Sequence, residues 1–89
     1  MKVKIELFGA SRDFSDKNSL DFEMDNNSTI KDIRNKIIDY LDKKFNGNED
    51  YKKIVNSSAF CSADNNIISD NYKITKNEKI AIIPPIGGG

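Results

Sequence analysis

One stretch near the middle of the chain restricts the possible folds more than any other. Ile30, Ile33, Ile37 and Leu41 follow one another at spacings of three, four and four. At 100° per residue these positions fall within an arc of roughly 80°, one apolar stripe on one helix. Ile38 and Phe45 widen the stripe, whereas Lys31, Asn35, Asp39 and Asp42 face water. Thr29 stands where a hydroxyl can cap free backbone N–H groups, and Asp32 three residues on suits the positive end of the helix dipole. Asn46-Gly47-Asn48 ends the helix through a left-handed residue. A single amphipathic helix cannot bury its stripe alone, so the rest of the chain has to supply a surface to cover it.

That surface is a sheet. Val3, Ile5 and Leu7 alternate with Lys4 and Glu6, and Leu20, Phe22 and Met24 alternate with Asp21, Glu23 and Asp25. The polar segment Gly9–Asn18 between them reads as a loop, making an antiparallel hairpin. After the helix, Tyr51, Ile54 and Val55 suggest a short helix or turn within Glu49–Ser58. Ala59–Ser62 is a short strand, Asp64-Asn65-Asn66 a turn that tolerates positive φ, and Ile67-Ile68 a return strand. Tyr72–Ile74 is expected to be irregular or a single turn, and Lys76-Asn77-Glu78 another turn. Lys79–Ile83 is the last strand, halted by Pro84-Pro85, which have no N–H to donate. A helix crossing between two hairpins returns the chain parallel to its first strand. The result is an α+β fold with ββαββ order, the β-grasp architecture of ubiquitin-like proteins, over residues 1–83, followed by a flexible tail over 84–89.

Composition removes most kinds of chemistry. The 89 residues include no histidine and one cysteine. Ser-His-Asp and Cys-His nucleophile pairs, histidine metal sites, thiolate zinc sites and internal disulfides are all excluded, and no metal site is expected. Fourteen basic and fourteen acidic side chains cancel, which argues against nucleic acid as a partner. No apolar run is long enough for a bilayer, and the first residues lack the apolar core of a secretory signal. A cytoplasmic protein with no membrane partner is expected. Cys61, in a short apolar strand with no base to deprotonate it, reads as a buried small hydrophobe.

The tail, Pro84-Pro85-Ile86-Gly87-Gly88-Gly89, is the remaining candidate. A triple glycine alone is more often a linker or a frayed terminus than a functional end. Here a rigid Pro-Pro pair directs the chain away from the sheet, and three residues without Cβ make a thread that fits a narrow tunnel. The α-carboxylate of Gly89 is ionised at neutral pH, with a pKa of about 3.3–3.7, and so is a poor electrophile. Activation as an acyl-adenylate makes it reactive. Beside the tail, if Ile80 and Ile82 face the core, alternation turns Ala81 and Ile83 outward. Ile67 and Ile68 are adjacent and cannot both point inward from a regular strand, unless local irregularity buries both. Ile83, Ile67 and Phe8 are the expected docking residues for a partner.

These segments resemble the small subunit of molybdopterin synthase, the MoaD-like sulfur carriers of the ubiquitin-like ThiS/MoaD family. Phe8-Gly9-Ala10-Ser11-Arg12-Asp13 is similar to the family's Phe-Ala-x-x-Arg-Glu segment, and Thr29-Ile30-Lys31-Asp32-Ile33 to its helix start. Lys79–Gly89 is similar to its terminus, Asp-Glu-Val-Ala-x-x-Pro-Pro-Val-x-Gly-Gly. Lys76-Asn77-Glu78 departs from the usual Asp-Gly-Asp, and Gly87 from the usual Ser, Thr or Ala. The resemblance implies a non-catalytic carrier that binds no cofactor itself. A ubiquitin-activating-type adenylyltransferase uses ATP to adenylate Gly89, and a sulfur donor protein converts it to a thiocarboxylate. Pro84, Pro85, Ile86, Gly87 and Gly88 thread the end into the molybdopterin synthase large subunit, in a hetero-oligomer that owns the catalytic pocket. Sulfur then passes to cyclic pyranopterin monophosphate. The alternatives are a β-grasp carrier for thiamine or tRNA thiolation, a ubiquitin-like protein modifier, and an interaction domain with an inert tail.

Overall fold

The computed structural model describes residues 1–85. Ten elements follow in order: β1 (Lys2–Leu7), a 3-10 turn (Gly9–Phe14), β2 (Ser19–Glu23), β3 (Ser28–Thr29), α1 (Ile30–Phe45), α2 (Glu49–Ser57), β4 (Ala59–Cys61), β5 (Ile67–Ile68), β6 (Lys73–Ile74) and β7 (Glu78–Ile83). The main sheet has the order β2-β1-β7-β4-β5. Its β1–β7 pair is parallel and the others are antiparallel. This is the ubiquitin-like β-grasp.

The helix covers one face of that sheet as the stripe requires. Ile30, Ile33, Ile37 and Leu41 are completely buried against Val3, Ile5, Ile80 and Ile82 of the two central strands. Burying each such side chain contributes about 1.5–3 kcal/mol before its entropy cost. The first turn of α1 is capped reciprocally. Asp32 N donates to Thr29 Oγ1 at 3.4 Å, and Thr29 N donates to Asp32 Oδ2 at 2.9 Å. The last turn closes on Asn46 at φ 54°, whose N–H, like that of Gly47, donates to Asp42 O.

Two segments differ from expectation, and a third, expected as a short helix or a turn, is a helix. Gly9–Phe14 is a 3-10 turn and not an open loop, because Phe14 is wholly buried and its ring lies 5.2 Å from that of Tyr51. Glu49–Ser57 resolves to a helix; the Asn48 Oδ1 cap accepts from Tyr51 N at 3.1 Å, and Val55 is its buried residue. Lys73–Ile74 is a strand and not an irregular turn: it pairs antiparallel with Ser28–Thr29. The residues just before this strand meet the start of α1, where Ile30 N donates to Tyr72 O and Lys31 N to Asp70 O, both at 3.1 Å. Those are helix N-terminal donors that have no partner inside the helix. Tyr72 closes the region by donating its hydroxyl to Glu78 Oε1 at 2.7 Å, which raises the Tyr72 pKa above its ordinary value.

Arg34 ties these pieces together. From α1 its Nη1 donates to Val55 O at 2.6 Å and Ser58 O at 3.0 Å, and its Nη2 to Asp70 Oδ1 at 2.7 Å. The guanidinium lies 4.8 Å above the Phe60 ring. One side chain therefore connects α1, the end of α2, β4 and the loop before β6.

Candidate functional site

The strand that leads into the tail lies inside the sheet, not on its edge. β7 is hydrogen-bonded to β1 on one side and β4 on the other. Period-two alternation makes Ile80 and Ile82 completely buried beneath α1 and turns Ala81 and Ile83 to the open face. The cross-strand partners extend this outer row. Ala59 pairs with Ile83, Cys61 with Ala81, and Ile67 with Cys61. Ile67 is 77% exposed, whereas its neighbour Ile68 packs partly against the core. Phe8 follows β1 in extended conformation (φ −127°, ψ 153°) and is 41% exposed. Ile83 itself is half-buried.

Cys61 differs from expectation. It is half-exposed on the outer face and not buried. Phe60, the largest side chain of its strand, takes the inward position and alternation sends Cys61 outward. Cys61 lines a shallow hollow of about 240 Å³ with Glu6, Phe8, Lys79, Ala81 and Ile83. Lys79 Nζ lies 3.8 Å from Glu6 Oε1 at its rim. The outer face is thus apolar at the end where β7 leaves the sheet.

The opposite end of the same face is charged. Lys2 pairs with Glu23 and Lys4 with Asp21 across β1 and β2. A larger hollow of about 620 Å³ lies there, lined by these residues with Lys79 and Asn77. It sits at the start of β7, a strand's length from Pro84, and has no place in the chemistry of the tail.

Of the tail residues, Pro84 is buried and Pro85 exposed. Ile86, Gly87, Gly88 and Gly89 lie outside the described residues. The described part brings Phe8 and Ile83 to one hollow beside Pro84, with Ile67 further along the same face. The packing of Pro84 and the outward turn of Cys61 were not read from the sequence. The second had a signal, since a three-residue strand holding one phenylalanine has one obvious inward position.

Among the described residues no helix is long and apolar enough to cross a membrane. Several solved structures share the fold. A Pyrococcus furiosus protein carrying the provisional name molybdopterin converting factor, subunit 1, superposes with TM-score 0.70 at 16% identity, covering 96% of this chain and 98% of its own. SAMP1 from Haloferax volcanii, a small archaeal modifier protein, gives TM-score 0.70 at 13% identity with both chains fully covered. The ubiquitin of Caldiarchaeum subterraneum gives 0.61 at 18%, covering 100% and 98%. At these identities the likeness is one of fold. No curated protein sequence matches the chain. The sequence profile of the ThiS family, in contrast, matches residues 5–89, from the first strand through the last glycine. The chain belongs to the ThiS family of ubiquitin-like sulfur carriers.

Proposed function

We propose that this sulfur carrier serves molybdenum cofactor biosynthesis, as the small, non-catalytic subunit of a molybdopterin synthase. The observation that carries the reading is the union of two features at one end of the molecule. An apolar outer face, with Phe8, Ala81 and Ile83, adjoins Pro84-Pro85, and the sequence after it is Ile86-Gly87-Gly88-Gly89. A partner docked on that face receives the tail in the same encounter. The name of the Pyrococcus furiosus structural neighbour points to the same branch.

The chemistry assigns one role to this chain and the remainder to its partners. A carboxylate oxygen of Gly89 attacks the α-phosphorus of ATP on a ubiquitin-activating-type enzyme, and pyrophosphate leaves. A sulfide equivalent from a sulfur donor protein then attacks the acyl carbon and AMP leaves, giving a thiocarboxylate. Glycine at the acyl carbon offers the incoming group no side-chain obstruction. Within the large subunit the thiocarboxylate sulfur attacks a side-chain carbon of cyclic pyranopterin monophosphate, and a C–O bond at that carbon breaks. Water then cleaves the resulting thioester, restoring the carboxylate and leaving the sulfur on the pterin as a thiolate. ATP is a co-substrate of the activating partner and not a ligand of this chain.

Incubation with the host's adenylating enzyme, ATP and sulfide is expected to replace one oxygen by one sulfur on the C-terminal fragment, read by intact and fragment mass spectrometry. With the large subunit and cyclic pyranopterin monophosphate, the loaded carrier is expected to yield molybdopterin. Sulfur delivered to a thiazole or a tRNA base but not to the pterin overturns the branch; lysine conjugates without thiocarboxylate overturn the carrier role.

The docking face has its own test. Ile83→Asp places a carboxylate at the centre of the apolar end, where desolvating it on binding is unfavourable. Affinity for the large subunit, measured by calorimetry, is expected to fall by at least about tenfold, with Ile67→Asp smaller because Ile67 lies further from Pro84. An unchanged affinity for Ile83→Asp places the interface elsewhere.

A further inference from the structure

β7 loses its ladder at Pro84, which has no N–H for either neighbouring strand. A chain released from a sheet at such a point has no reason to hold a direction, yet Pro84 is buried. The turn after β1 lies beside it. Gly9 stands at φ +55°, and the position a Cβ would occupy there lies 4.0 Å from both Cγ and Cδ of the Pro84 ring. The register explains the meeting. Leu7 and Ile82 form the last pair of the parallel β1–β7 ladder, so a sharp reversal after Leu7 folds back over the place where β7 ends.

The turn is built to hold its shape independently of the tail. Ser11 is completely buried, and its Oγ accepts from Phe8 N at 2.9 Å while donating to Phe8 O at 2.6 Å. Ser11 N donates to the same oxygen at 3.1 Å. At the far end of the turn Phe14 is locked in the core, and its carbonyl accepts from Tyr40 Oη of α1 at 2.9 Å. We propose that the Phe8–Ser11 turn is a seat for Pro84 that aims the tail, with Gly9 and Pro84 acting as positioning residues for the reaction at Gly89. The proposal rests on the carrier reading above.

Its importance follows from the length of the thread. Four residues follow Pro85 and reach at most about 13–14 Å, so the direction of the chain at Pro84 limits the region that the reacting carboxyl can search. Pro85 has no freedom in φ and continues that direction. Without the seat, the direction must be fixed anew each time a partner takes the tail. Ordering one or two further residues costs roughly tenfold in productive binding.

The test uses the full chain with the host's adenylating enzyme, read by ATP–pyrophosphate exchange. Gly9→Val forces a β-branched residue into the left-handed region, which it resists, whereas Gly9→Asn tolerates that region and its Cβ has ordinary room beside Pro84. Pro84→Ala removes the ring while leaving the turn untouched. Gly9→Val and Pro84→Ala are each expected to raise KM about tenfold with kcat retained, and Gly9→Asn to behave as wild type. Thermal melts establish that each variant is folded at the assay temperature, and Pro84→Ala carries the test if Gly9→Val is not. Folded variants with the wild-type KM overturn the seat. A wild-type chain that is never adenylated overturns the carrier reading instead, a separate result.

Discussion

A chain without Gly88 and Gly89 is expected to melt as the intact protein does, yet to lose ATP–pyrophosphate exchange by at least about a hundredfold. The two halves of this expectation have different causes. The hydrophobic core cluster ends at Ile82, and the one buried residue after it, Pro84, precedes the removed glycines by four positions. Glycine has no side chain to bury, so removing two of them takes no apolar side chain from that core and the melting transition is expected to be unchanged. The acyl group, however, retreats by two residues, about 7 Å of extended chain. A carboxyl misplaced by a single ångström already loses a large factor in rate. Truncation therefore separates folding from function more completely than any change in a side chain. Adenylation retained at the new terminus sinks the assignment of the reactive group to Gly89.

Arg34→Met is expected to cost about 3 kcal/mol of stability, or a fall on the order of 15 °C in melting temperature for a domain of this size. Two carbonyls at the end of α2, Val55 O and Ser58 O, receive the same Nη1, and removing it leaves them without that charged donor. The arm to Asp70 contributes less, because the Asp70 carboxylate is half exposed and well solvated. The contact with the Phe60 ring is lost as well. Arg34→Lys recovers only part of the effect, since an ammonium cannot reproduce the planar fork that reaches the carbonyls and Asp70 together. Thermal unfolding followed by circular dichroism measures both variants, and a loss under about 1 kcal/mol shows that solvent replaces the fork.

The helix and the two long central strands were legible because their determinants are local. A stripe at spacings three, four and four, a Thr29–Asp32 cap and an Asn46-Gly47 end each carry their own physical reason, and the structure has all of them. The same holds for Ile80 and Ile82 against Ala81 and Ile83, where alternation leaves one choice. What escaped was set by contacts distant in sequence. Lys73–Ile74 is a strand only because Ser28–Thr29 lies beside it. The 3-10 turn exists because Phe14 finds Tyr51 and Tyr40, and no rule about polar loops contains that. Arg34 looks like one more polar residue flanking an apolar stripe; which carbonyls it meets depends on where α2 stops. The candidate site divides the same way. Its apolar row and the glycine end could be read from the chain, whereas the approach of Gly9 to the Pro84 ring joins residues 75 positions apart.

The parallel β1–β7 ladder joins Val3 to Glu78 and Leu7 to Ile82. It has a consequence in time as well as in space. During synthesis the first strand emerges early and waits, one edge unpaired, until nearly the whole chain has followed. Such long-range pairing is the slow step expected of this topology. The strand that completes the sheet is also the one that holds Pro84, and the turn beside Pro84 follows the strand it completes. A complete but misfolded chain thus has its last glycines but no seat to direct them. If Pro84 is seated as proposed, only molecules that have closed the sheet would offer an activating enzyme an aimed end, and activation would then discriminate folded from misfolded chains.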